Sequence, residues 1–180
     1  MLADYHVHTQ FSDDSVYPMA QVVKDAVSRG IQEICFTDHV DYGIKDDWDS
    51  GRPIVCRGDE LLANVDYPLY FAQIRELQCL YETQITLKAG LEFGMQAHTV
   101  LQYETLFQKY PLDFVILSIH QIDDLEFWTQ DFQRTRSQKE YHQRYYEEML
   151  HLVNTYHNYS VLGHMDLIVR YDEKGVYPYE

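Results

Sequence analysis

The chain has 180 residues, 46% hydrophobic and 14% aromatic with 16 tyrosines, which excludes a disordered polymer and suits one domain with a real core. Against 14 Lys and Arg stand 29 Asp and Glu, a formal charge of −15 that argues against a nucleic-acid backbone or an anionic membrane as partner and suits metal cations and small substrates. The three cysteines Cys35, Cys56 and Cys79 form no C-x-x-C pair, the N-terminus has neither a basic nor an apolar signal region, and no apolar run approaches ~18 residues, so the expectation is a soluble, cytoplasmic protein.

In chain order, Asp4 to Thr9 reads as a short strand carrying His6 and His8. Side chains two apart on a strand share a face, so both imidazoles project together while Val7 turns away. An isolated His-x-His is equally a polar strand face; paired imidazoles become metal ligands only when the rest of the chain supplies partners. A polar loop over residues 10–15 contains Asp13 and Asp14. Pro18 then opens a helix that Gly30 closes, with Val22, Val23, Ala26 and Val27 on its apolar face. Ile31 to Thr37 is a second strand, ending in Asp38 and His39. Residues 41–66, rich in Asp, Gly and Pro, form a long loop of the kind that is functional or disordered.

Pro68 starts the next helix, with Tyr70, Ile74, Leu77 and Tyr81 at helical spacing. Ile85 to Leu91 is a third strand ending at Glu92. A helix over about 98–109 carries Tyr103, Leu106 and Tyr110. Asp113 to Ile119 is an apolar fourth strand ending at His120. Ser137 and Glu140 form a capping box for a long helix striped with Tyr141, Tyr145, Met149, Leu152 and Tyr156. A fifth strand, Ser160 to Gly163, ends at His164. Alternating strands and helices imply a parallel α/β architecture, and the continuous apolar runs of strands two and four imply burial on both faces. The tyrosines of the helical stripes read as core.

His6, His8, His39, Glu92, His120 and His164 thus all fall at C-terminal ends of strands, which in a parallel barrel meet on one rim. The other four histidines, His98, His142, His151 and His157, lie on predicted helices without i, i+4 pairing and read as surface or core-edge residues. Five imidazoles with Glu92, Asp38 and Asp13 or Asp14 exceed what one tetrahedral zinc requires and suggest two or three divalent ions, Glu92 bridging a pair. Adjacent metals clamp the attacking and leaving oxygens of a phosphoryl or acyl transfer. No G-x-S-x-G or glycine-rich phosphate loop is present, and Cys35 sits mid-strand. Arg170, soon after the fifth strand, is placed to reach an anionic group, for which guanidinium is suited. Arg134 and Arg136 are further candidates for phosphate contact, and equally solvated loop arginines.

The ordered set His6-Val7-His8-Thr9, Phe11-Ser12-Asp13-Asp14-Ser15, Thr37-Asp38-His39, Gly90-Leu91-Glu92-Phe93-Gly94, Ser118-Ile119-His120 and Gly163-His164-Met165-Asp166 with Arg170-Tyr171 resembles the PHP (polymerase and histidinol phosphatase) metallohydrolases, most of all their monofunctional histidinol-phosphatase branch. The resemblance implies a distorted (β/α)7, TIM-like barrel with three metals at the strand C-termini. It implies that His6 and His8 bind the first metal, that Glu92 bridges it to the second, and that His120 and His164 complete the second. The third takes His39 with Asp13 or Asp14, and Arg170 holds the substrate phosphate. Glu92, His39 and Arg170 are the candidate catalytic residues on this basis. The family's later Asp-x-His motif is absent, the chain ending at Tyr177-Pro178-Tyr179-Glu180. The expectation is therefore a single, C-terminally truncated PHP domain over 1–180, an incomplete barrel with its last strands missing, holding Zn, Fe or Mn ions in smaller number than the complete family.

The expected function is metal-dependent hydrolysis of a small phosphate monoester, L-histidinol phosphate, in histidine biosynthesis, impaired in a chain of this length. The alternatives are a PHP phosphoesterase acting on nucleotides or phosphotyrosine, and an inactive metal-binding remnant. A chain cut in this way is expected to self-associate through its open edges. The acidic loop around Asp46, Asp47 and Asp49 is a candidate attractor for a substrate ammonium, or a solvated charge run.

Overall fold

Parallel pairing of the strands brings their C-terminal ends to one edge, and that edge carries the site. The computed structural model describes residues 1–178; Tyr179 and Glu180 lie outside the described residues. It begins with β1 (Ala3–Val7), α1 (Met19–Ser28), β2 (Glu33–Phe36), β3 (His39–Val40), β4 (Cys56–Arg57), β5 (Glu60–Leu61) and α2 (Tyr67–Leu80). There follow β6 (Thr86–Gly94), a 3-10 turn (Ala97–Thr99), α3 (Val100–Lys109), β7 (Phe114–Ser118), β8 (Gln121–Ile122) and β9 (Leu125–Glu126). The last elements are α4 (Asp131–Arg134), α5 (Gln138–Thr155), β10 (Val161–Leu162) and α6 (Leu167–Arg170).

The main sheet runs β1-β2-β6-β7-β10, all parallel, with β3 also pairing with β6. Among the described residues β1 and β10 are its two edges and do not pair, so the sheet is a half-barrel with helices against it. Register aligns the rim: His39 lies opposite Glu92, Glu92 opposite Ile116, and Gly94 opposite Ser118. The strand carrying Glu92 continues two residues past it, so Glu92 sits inside a ladder paired on both sides and its carboxylate is held rather than hung from a loop. The fifth strand is shorter than its sequence suggests, only Val161 and Leu162.

Local chemistry explains the helix ends. Gly30, at φ +73°, closes α1 in a left-handed turn in which Gly30 N–H donates to Val27 and Ile31 N–H to Ala26, at 3.0 Å each. Asp66 caps α2 by accepting from the Leu69 amide, and Ser137 with Glu140 forms the expected capping box on α5. The helices bury Met19 and Val23, Tyr70 and Ile74, Tyr103 and Leu106, and Tyr141, Tyr145 and Leu152 against the sheet. β2 and β7 are buried on both faces through Ile34, Cys35, Phe36, Val115, Ile116 and Leu117.

The buried tyrosines use their hydroxyls as well as their rings. Tyr70 Oη donates to the Gly90 carbonyl at 3.0 Å, and Tyr103 Oη lies 2.8 Å from the Val40 carbonyl and 2.9 Å from that of Gly94. Tyr70 ties α2 to the middle of β6, and Tyr103 ties α3 to the rim ends of β3 and β6.

The long loop of residues 41–66 is ordered around Asn64, which accepts from the Asp41 amide and donates to the Asp47 carboxylate, and it carries the β4–β5 hairpin. Of the four helical histidines, His142 is fully buried and paired with Asp172 at 2.7 Å, and His157 lies beyond the end of α5. The three cysteines are free, and among the described residues no helix is long and apolar enough to cross a membrane.

Candidate metal centre

Glu92 is fully buried, and its two oxygens face different partners. Oε2 lies 2.8 Å from His6 Nε2, 3.0 Å from His8 Nε2 and 3.3 Å from His39 Nε2. Oε1 accepts from the Ser118 hydroxyl at 2.6 Å and lies 2.8 Å from His164 Nε2 and 3.1 Å from His120 Nε2. The alternation of β1 brings the His6 and His8 rings within 4.9 Å of each other on one face, as the His-x-His spacing requires.

Three of the five imidazoles are held from behind. His8 Nδ1 meets Asp14 at 2.9 Å, His39 Nδ1 meets Asp13 at 3.1 Å, and His120 Nδ1 meets Asp41 at 2.8 Å. Carboxylates placed this way fix the ring and turn Nε2 inward. Gly94 makes room for one of these pairs: a Cβ there would collide with Asp41 Oδ1 and stand 2.6 Å from His120 Nδ1.

Burial opposes ionisation of Glu92, but His120, His164 and His39 outweigh it and hold the carboxylate well below its ordinary range. Burial likewise opposes a charge on His120, yet Asp41 and Glu92 push it up to about 10; Asp14 and Glu92 do the same for His8, also to about 10. Asp41 and Asp13 are held low, against burial, with Lys45 the largest of the stabilising charges on Asp41 and His39 and Lys45 acting on Asp13. The site is thus a dense set of anions that demands positive charge.

These side chains line one cavity of about 770 Å³, together with Gln121, Glu126, Trp128, Leu167, Arg170 and Tyr171. The donor set fits divalent ions. Four groups, His6/Glu92/His164, His8/His39/Glu92, His39/Asp41/His120 and Asp13/Asp14/His39, each bring their ligand atoms within 4.8 Å of one another. His8 Nε2 is buried and, although 3.0 Å from Glu92 Oε2, makes no hydrogen bond to it.

The structure brings His6, His8, Asp13, Asp14, His39, Glu92, His120, His164 and Arg170 to this cavity. It does not bring Arg134 or Arg136. Arg134 pairs with Asp131 on its own short helix, and Arg136 donates to the Phe132 carbonyl and lies over the Phe132 ring, so the turn around α4 consumes both. Asp38 faces inward, where it accepts from the Thr9 amide and hydroxyl and shapes the first loop. Asp46, Asp47 and Asp49 point elsewhere, to Arg52, to Tyr42 and Tyr67, and to Lys109.

Asp41, Gln121, Glu126 and Trp128 also line the cavity, and sequence reasoning does not single them out. For Asp41 a signal exists: it stands two residues beyond His39 in extended chain and so shares its face. Glu126 and Trp128 come from the β8–β9 hairpin and the segment just after it, whose return to the rim no local pattern announces. There Arg57 of β4 pairs with Glu126 and covers the Trp128 ring at 4.7 Å.

A model of the PHP domain family matches residues 4–179. The chain belongs to the PHP domain family. Among curated proteins it is 32% identical over 169 residues to the histidinol-phosphatase of Lactococcus lactis, covering 93% of this chain and 58% of that protein. It is 27% identical over 173 residues to a protein named probable histidinol-phosphatase from Clostridium acetobutylicum, covering 95% and 60%. This PHP chain therefore spans less than two thirds of the length of these relatives. Among solved structures it resembles the Lactococcus lactis histidinol phosphate phosphatase in complex with Zn, L-histidinol and phosphate, with a TM-score of 0.80 and 30% identity over 94% of this chain and 59% of that one. The half-barrel is accordingly part of a TIM-like PHP fold.

Proposed function

We propose that this PHP domain carries the metal centre of a cytoplasmic histidinol phosphatase, an enzyme of histidine biosynthesis that converts L-histidinol phosphate and water to L-histidinol and phosphate. The observation that carries the reading is the division of Glu92: His6, His8 and His39 gather at one oxygen and His120 and His164 at the other. Glu92 would hold an ion at each oxygen together with these histidines, with Asp13 or Asp14 available beside His39 for a further one. Divalent ions such as Zn, Fe or Mn, bound there, supply Lewis-acid charge and lower the pKa of a water near neutral pH. Ser118 fixes the Glu92 carboxylate by its 2.6 Å hydrogen bond. Arg170, the one arginine on the cavity wall among the described residues, meets the phosphate group. The remaining wall, Gln121, Glu126, Trp128, Leu167 and Tyr171, mixes polar and aromatic groups and suits an organic leaving group.

A second reading, metal binding without turnover, is favoured by one observation. His6 stands on edge strand β1 with 42% of its side chain exposed, against 13–20% for the other four ligand histidines, so the His6 side of the centre is open.

The test is phosphate release with Mn²⁺, Fe²⁺ or Zn²⁺ from L-histidinol phosphate, a nucleoside monophosphate and phosphotyrosine, alongside metal analysis. Preferred turnover of L-histidinol phosphate supports the first reading. Preference for either of the others overturns the substrate, and bound metal without release from any supports the second.

A further inference from the structure

Lys45 is 4% exposed, an unusual place for an ammonium group, and it takes no part in the proposed chemistry. Its Nζ lies 2.7 Å from Asp41 Oδ2 and 2.8 Å from Asp13 Oδ1. Each of those carboxylates also holds the Nδ1 of a different imidazole, Asp41 that of His120 and Asp13 that of His39. The Nε2 atoms of the same two rings point to opposite oxygens of Glu92, 3.1 Å for His120 and 3.3 Å for His39. One cation is thus the hub of two carboxylate–imidazole arms that reach both halves of the centre. Its own place is fixed: Lys45 N–H donates to the Asp41 carbonyl at 2.9 Å, and Asn64 fixes the Asp41 amide.

We propose that Lys45 is the positioning residue of the metal centre, holding Asp13 and Asp41 as acceptors for Nδ1–H of His39 and His120 so that both Nε2 lone pairs are presented to metal. The proposal rests on the metal-centre reading above. An ammonium within 2.8 Å of both Asp13 and Asp41 fills the space between them, so neither is free to ligate on that side. Carboxylates behind metal-bound imidazoles behave in this way generally, and their loss weakens metal affinity about 10- to 100-fold.

The test is calorimetric titration of the full chain with Zn²⁺, combined with ring ¹⁵N shifts of the zinc-loaded protein. In Lys45→Met, Zn²⁺ affinity should fall about 10- to 100-fold, and His39 and His120 should lose the uniform Nδ1–H signature while His6 keeps its wild-type shifts. Asp13→Asn, which weakens the His39 arm, should lower zinc affinity with the stoichiometry intact. If circular dichroism shows Lys45→Met unfolded, Asp41→Asn carries the same expectation, because it leaves the ammonium one carboxylate and breaks the His120 arm. Wild-type zinc affinity and ring shifts in either folded variant overturn the proposal alone. Absence of zinc binding by the wild-type chain overturns the metal reading of the site and this proposal with it.

Discussion

His8, His39 and His120 reach the cavity with Nε2 forward because Asp14, Asp13 and Asp41 stand behind them, and the sequence shows the rings more readily than their supports. Histidines at strand ends are legible because a parallel sheet sends every C-terminal end to one edge. Lys45 and Asp41 are harder to read, since their approach depends on Asn64 and on the absence of a Cβ at Gly94. Arg134 and Arg136 mark the opposite failure: their charge suggests phosphate contact, but the chain around α4 turns them onto Asp131 and Phe132. Arg170 is the arginine that reaches the wall. Arg170→Ala should raise KM about 10-fold with kcat little changed, the loss of a charge-assisted hydrogen bond of about 1.5 kcal/mol in the bound substrate. His151→Ala, on the exposed face of α5, should change neither constant. Steady-state kinetics on both variants checks this, and a fall in kcat alone for Arg170→Ala would place the contact in the transition state instead.

At the scale of elements, helix limits follow from short signals. Pro18, Gly30, Pro68 and the Ser137–Glu140 box all mark ends where the structure has them, because caps are local chemistry. The 41–66 loop is legible only as irregular, since its order comes from side-chain bonds across the fold, Asn64 and Asp47 with Tyr42 and Tyr67. His142, expected at the surface or a core edge, is buried because Asp172, thirty residues on, returns to it. The end of α1 offers a clean energetic test. Gly30 has φ +73°, and nothing lies within 4 Å of the place a methyl group there would take, so Gly30→Ala carries only the left-handed backbone penalty, about 1–2 kcal/mol. Urea unfolding should show that loss with an unchanged m-value; no loss would mean that the turn relaxes without cost.

For the whole molecule, the net charge of −15 and the packed carboxylates of the cavity point to one property, dependence on bound positive charge. Without metal that charge is protons on histidine. His8 and His120 are raised from 6.5 to about 10, so their pairing contributes stability that is complete below pH 6.5 and lost as pH rises toward 10. Metal binding must displace those protons and therefore strengthens over the same window. Thermal melts should accordingly show the metal-free protein losing stability between pH 6.5 and 10 and the zinc-loaded protein gaining on it; a metal-free melt flat across that range would contradict the assignment. Glu92, paired within the sheet and buried, is the residue on which the proposed centre rests. Zinc titration of Glu92→Gln beside the wild type tests it most directly. The wild-type chain should bind more than one equivalent, and Glu92→Gln, which keeps shape and loses the bridging charge, should lose affinity at least about 100-fold with a lower stoichiometry. Wild-type stoichiometry and affinity in Glu92→Gln would show that the two halves of the centre do not share this carboxylate.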